Sequence, residues 1–306
     1  TLTVSGAGEL SNSNTMTLNN ANSVLKITGT DNISGAVTLN AGKLDIDETS
    51  TISGILTLGG NGEIDVAVGK TLTYSGAGLS LGANTLTVSG AGELSNSNTL
   101  TLDTANSVLK ITGTNKVSGR VALNAGKLDI DEDSTDSGTL VLGGNAAIDV
   151  ANSKTFTYTG TAVSLGANKL TLPGAGSLTA ANAFNLNNAS SQLEISGAGT
   201  LNKATVSTNL NTGITISESS TITALTLGGT TPVFIGGGKS LSGSIVINSG
   251  GRLKLTQAGT LDSAVTLNGG ILDIDESLTS SGAYMLTADS TVDVANAKTL
   301  TYSGAG

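Results

Sequence analysis

The residues with the chemistry to form a site are acids, and they recur. Asp45 and Asp47 lie in "KLDIDE" (43–48), Asp129 and Asp131 in "KLDIDED" (127–133), and Asp273 and Asp275 in "ILDIDES" (271–277). Asp65, Asp149 and Asp293 follow about 20 residues later in each case. Neighbouring carboxylates are the ligands calcium prefers, so these nine aspartates form a candidate Ca²⁺ set. The structural alternative is a ladder of opposite charges on neighbouring strands, worth about 0.2–1 kcal/mol per pair. The ladder is favoured, because one outward carboxylate per coil does not surround an ion that takes roughly six to eight oxygens. "GGNGEIDV" (59–66) is close to a glycine-rich calcium nonapeptide. Its Asp falls one position late, the third Gly is lost in "GGNAAIDV" (143–150), and the motif never runs in tandem.

A second set of repeated residues is Thr-x-Thr. It comprises Thr1/Thr3, Thr15/Thr17, Thr71/Thr73, Thr85/Thr87 and Thr99/Thr101, with further pairs at 155/157 and 299/301. Flat outward Thr arrays are similar to those of ice-binding proteins. Thr is also a common outward strand residue, and the rows are broken by Ala36, Arg120, Ala122, Lys169 and Asn185.

Composition narrows the classes. The 306-residue chain has no His and no Cys, which removes the commonest general base, the commonest transition-metal ligand and any disulfide. A net charge of −9 argues against nucleic acid and against anionic lipid. No apolar run is long enough to span a bilayer as a helix. Aromatics are only 2%, too few for the sugar platforms of a polysaccharide lyase or hydrolase, and acids repeated in every unit do not mark a single active centre. "GGGKS" (236–240) lacks the spacing of a phosphate loop and reads as a corner. We therefore expect no catalytic residue and no cofactor.

What positions the acids is a repeat. "TLTVSGAGELSNSNT" at 1–15 returns unchanged at 85–99, an offset of 84 residues that "ANSVLKITGT" and "NAGKLDID" share. The units are 1–84, 85–168, and a third, 169–306, carrying about 60 inserted residues. Within a unit, alternating apolar pairs step by 14, 21, 19, 16 and 14 residues, which suggests five short coils per unit and about 18 in the chain. The insertion fits three further coils. "AVTL" (36–39) and "KLDID" (43–47) alternate strictly, with Val37, Leu39, Leu44 and Ile46 on one face, and "NAG" turns the chain between them. Many coils thus carry two strands.

No coil buries its apolar face alone, but stacked coils share a continuous core. The expectation is one continuous all-β parallel β-solenoid over 1–306. It is right-handed by the general preference of parallel crossovers, with a length of roughly 85 Å at about 4.8 Å per coil. Second strands then align Lys26, Asp45 and Asp65 in one outward column, with Lys110, Asp129 and Asp149, and Lys254, Asp273 and Asp293, as its later copies.

Coils such as "TLTLDTANSVLKITG" (99–113) and "LTLGGNGEIDV" (56–66) resemble the parallel β-helical passenger regions of autotransporters and filamentous-haemagglutinin-like surface adhesins. The resemblance implies a secreted, extracellular structural or adhesive protein of the bacterial cell surface, with glycan or host-surface ligands bound repeatedly and weakly. It brings no catalytic motif. The first and last coils lack the caps of natural solenoids, so further repeats, or other copies stacked end to end, are the expected partners.

Overall fold

The structure is a computed structural model that describes residues 1–30, 32–114, 116–207 and 212–304. Every regular element among them is a β-strand, and the chain is a parallel β-solenoid of about 14 turns. It forms two compact units, Thr1–Thr161 and Ala162–Gly306.

In the first unit each full turn crosses three faces. The turn after Ile33 shows the pattern: Val37–Leu39 lies on the third face, Lys43–Ile46 on the first and Ser50–Ile52 on the second. The strands are short because each is one side of a three-sided coil. Their side chains alternate, so two apolar residues from each point inward. Leu25, Ile27, Leu44, Ile46, Ile64 and Val66 are all buried, as the alternation predicts. Stacked on the first face, Leu2, Leu25, Leu44 and Ile64 follow one another in register. The ladder bonds to the turns on either side satisfy the backbone without an open sheet.

The corners are where glycine is needed. Gly42 closes "NAG" with φ of 88°, and a Cβ there would lie 2.4 Å from the carbonyl oxygen of Ser23. Gly126 repeats the role with φ of 74°. Asn40 at the same corner donates from Nδ2 to Asn19 Oδ1 at 2.7 Å, linking one turn to the previous. Four of the aromatics, Tyr74, Phe156, Tyr158 and Phe184, are buried in the core, and the hydroxyls of Tyr74 and Tyr158 each accept from a backbone N–H, of Leu56 and Leu140, at 3.3 and 3.0 Å.

The second unit is built the same way. Its first face runs from Lys169–Leu172 through Gln192–Ile195, Gly213–Ile216, Thr230–Ile235, Arg252–Leu255 and Ile271–Ile274 to Thr291–Val294. Between Leu193 and Ile274 the first-face ladder passes Ile214, Val233 and Leu255, so the insertion adds three turns, as its length implies. "GGGKS" is a corner: Lys239 N–H donates to Gly236 O at 2.9 Å, and Ser240 opens the next strand.

Two expectations need correction. Each 84-residue repeat makes four turns, not five, so the coil count of about 18 falls to about 14. The cause is the third face: Leu72 and Tyr74 begin no coil of their own but form the second-face strand Thr71–Tyr74, in the same turn as Gly62–Val66. For the same reason, complete turns carry three strands where the sequence suggests two.

Candidate functional site

The acids lie where the coil pattern puts them. On the first face Lys26 pairs in register with Asp45, and Asp45 with Asp65. Lys110, Asp129 and Asp149 repeat this in the first unit, and Lys254, Asp273 and Asp293 in the second. Two carboxylates are thus stacked directly above one another in each copy. Left alone they would repel.

Lysines of the same and the flanking column resolve the repulsion. Lys43 Nζ lies 2.6 Å from Asp65 and 3.9 Å from Asp45, and so bridges the stacked pair. Lys26 closes the other side, 2.8 Å from Asp45 and 2.5 Å from Asp47. In the next copy Lys127 spans Asp129 and Asp149 at 3.2 and 2.9 Å, while Lys110 spans Asp129 and Asp131 at 3.1 and 2.5 Å. The acids pull the ammonium pKa values upward, through the hydrogen bonds that Lys26 donates to Asp45 and Asp47, Lys43 to Asp65 and Lys110 to Asp131.

The third copy keeps the network with different residues. The position of Lys43 and Lys127 holds Ile271, and the valine that stands at Val24 and Val108 in the earlier copies is replaced by Arg252. Arg252 reaches Asp273 at 2.7 Å and Asp293 at 3.7 Å, and Lys254 lies 2.7 Å from Asp275. The cation has moved back by one turn and still bridges the stacked pair.

All nine candidate calcium ligands therefore have a Lys or Arg within salt-bridge distance. Among the described residues no group of three or more acidic side chains is arranged to hold a metal ion. The carboxylates here face cations of the chain itself.

A second series runs along the corner after the first face. Glu48–Lys70, Glu132–Lys154, Glu218–Lys239 and Glu276–Lys298 pair at 2.6, 2.5, 2.5 and 2.6 Å. Reading strand columns alone does not reveal it. The signal is present, however, as a Lys one turn downstream of each of these glutamates.

The threonine pairs do not share one surface. Thr3, Thr85 and Thr87 lie on the first face, where Thr87 stands between Glu63 and Lys110. Thr71 and Thr73 lie on the second, Thr73 beside Thr51 and Ser95. Thr17 lies on the third, in register with Thr38 and Thr57, and Thr99 and Thr101 lie on that face beside Arg120 and Ala122. Thr1 and Thr15 precede their strands and are exposed.

One acid departs from the pattern altogether. Asp136 occupies the inward second-face position that Ile52 holds one repeat earlier, in register with Val117 and Tyr158, and it is 2% exposed. Burial pushes its carboxyl up to about 6, against the pull of the Gly138 N–H, which donates to Oδ1 at 2.7 Å. The enclosed position gives it no access to a substrate.

No protein-family model matches this chain, and no curated protein and no solved structure matches it either.

Proposed function

We propose that the chain is a non-enzymatic structural or adhesive element of a secreted bacterial surface protein, acting as an adhesin stalk or extracellular fibre scaffold. The observation that carries this reading is the bridged aspartate pair, built three times and rebuilt with different residues in the third copy. An active centre is singular, whereas a scaffold surface is periodic. Neutralising its own stacked acids keeps such a surface regular without a bound ion. Ligands of such a surface are glycans or host-surface groups held weakly at many equivalent points, with avidity from repetition.

The test is binding of the purified chain to a glycan array and to cell surfaces, alongside an assay for turnover of acidic polysaccharides. Multivalent binding without turnover is the expected result. Release of sugar products removes the scaffold reading in favour of an enzyme, and thermal hysteresis with ice shaping removes it in favour of the threonine surfaces.

A further inference from the structure

The three turns that the insertion adds interrupt the charge ladder of the first face. Glu194 precedes them on that face and Asp273 follows. Between these, the strands Gly213–Ile216, Thr230–Ile235 and Arg252–Leu255 carry no carboxylate. They carry instead the one aromatic found on any described strand of the first face, Phe234. Thr231, Val233 and Ile235 are buried, so Phe234 between them points outward, and it is 41% exposed. The other two phenylalanines, Phe156 and Phe184, are buried.

The surroundings make a shallow platform. Pro232 stands two residues before Phe234 on the same outward side and is exposed. On the preceding turn Thr215 is in register with Phe234, and Gly213 comes one residue before the Ile214–Val233 pair, opposite Pro232. On the following turn Thr256 comes one residue after Leu255, the partner of Val233. Nothing in the fold requires a glycine at 213. Its φ is not left-handed, and among the described residues an added Cβ would meet only Gln192 Cγ, at 3.9 Å. Glycine within a strand weakens it and often marks a place where a ligand approaches closely. Here it leaves the Pro232 end of the platform open. Among the described residues the hydroxyls of Thr215 and Thr256 and the side-chain amide of Gln192 have no hydrogen-bond partner.

We infer that Phe234 and Pro232 are the platform of a sugar-binding site, on which a neutral pyranose stacks by its C–H face. The face of an aromatic ring is its negative side, and the C–H bonds of a pyranose present the opposite sign. Neighbouring turns lie about 4.8 Å apart, so a sugar seated on the ring brings its hydroxyls to Thr215 on one side and Thr256 on the other. A protein partner needs about 800 Å² per side. One ring and one proline among hydroxyls fall far short of that, and no other large apolar side chain is exposed on these three strands. Arg252 and Lys254 on the following turn are held by Asp273 and Asp275, so nothing there selects an acidic sugar. The inference rests on the glycan ligands of the scaffold reading and gives them one distinct contact beside the repeated ones.

The three phenylalanines make the test direct. The whole chain labelled with 4-fluorophenylalanine has three fluorine resonances, and Phe234→Ala identifies the one from Phe234 by removing it. Titration with methyl β-glucopyranoside and methyl β-galactopyranoside is expected to shift that resonance and leave those of the buried Phe156 and Phe184 in place. Sorbitol, which has the hydroxyls but no ring face, is expected to shift none. No shift with either glycoside up to its solubility limit, or an equal shift with sorbitol, overturns the inference. A shift of the Phe234 resonance with protein concentration alone assigns the ring to a second copy of the chain and overturns it too. On a glycan array the unlabelled Phe234→Ala variant is expected to lose pyranose-terminated glycans that the parent chain retains. Equal retention by both removes this site and leaves the scaffold reading standing, whereas no retention by the parent chain counts against that reading itself and removes the site with it.

Discussion

The Arg252 guanidinium lies 2.7 Å from the carboxylate of Asp273, whose side chain is only 4% exposed. Asp273 is the most enclosed of the ladder acids, and Arg252 is the cation that joins it to Asp293. In the two earlier copies that task falls to a lysine two positions before the acid. The same electrostatic requirement has thus been met from two different positions in the coil.

Arg252→Met should therefore destabilise the second unit by about 1–3 kcal/mol, the range for leaving a buried charged group short of a partner. Adding Ile271→Lys should recover most of the loss, because it restores the cation where Lys43 and Lys127 stand. Urea denaturation of the wild type, the single and the double variant measures this. A double variant no more stable than the single one would refute the exchange.

Asp136 predicts a pH dependence of definite sign. Its folded pKa of about 6 lies above the ordinary 3.8, so between these values the unfolded chain binds fewer protons than the folded one. Stability falls as pH rises through that window and is level above it, with a total change of about 3 kcal/mol. Asp136→Ile, which copies the earlier repeat, should abolish this component and stabilise the first unit at neutral pH by a similar amount. Melting curves from pH 3.5 to 7 of both proteins give the comparison.

The lysine ladders act at the opposite end of the scale. Lys43 and Lys110 have raised pKa values, so the stabilisation they bring is complete below about 10.5 and is lost as pH rises through their folded values. Melting temperatures should hold their lysine-dependent part from neutral pH to about 10 and then drop. Lys43→Met should flatten part of that drop and cost up to about 1 kcal/mol at neutral pH.

Gly42 gives a backbone test. With φ of 88° and Ser23 O 2.4 Å from the added Cβ, Gly42→Ala should cost about 1–3 kcal/mol. The control is Gly69→Ala, where φ is 71° but no atom lies within 4 Å, so only the strain remains. Equal losses would show that close approach to the previous turn contributes nothing.

Calcium removal should leave the protein unchanged. Each of the nine ladder aspartates has a cation of the chain beside it, so EDTA or millimolar Ca²⁺ is expected to leave the melting temperature where it was. A rise with added Ca²⁺, absent with Mg²⁺, would reinstate the ion.

Much of this order can be read in the sequence, because a solenoid makes local pattern and long-range neighbour nearly the same thing. The alternation in "KLDID" places Leu44 and Ile46 inward, and one coil length then names Asp45's neighbours as Lys26 and Asp65. Counting turns fails where the pattern is blind: Leu72 and Tyr74 alternate like any strand, and nothing local says which face they occupy. Asp136 escapes a column reading because it lies among inward residues. Its signal is the comparison of "TISG" (51–54) with "TDSG" (135–138). The bridging by Arg252 depends on side-chain reach across a turn, which spacing does not encode.

The first-face register in the first unit has one more consequence. Ile64 pairs with Val88, and Val88 with Ile111, then Ile130, so four turns from Leu44 end at Ile130, two residues past its repeat counterpart Leu128. Coil and repeat are out of phase, like the two scales of a vernier. Asp129 consequently stands in the column of Lys43, not of Asp45. Successive copies of one motif are displaced by about 19 Å along the stack and about 6.6 Å across it. A polymeric ligand that engages both copies must therefore run obliquely over the face, and its own repeat length is selected by that diagonal.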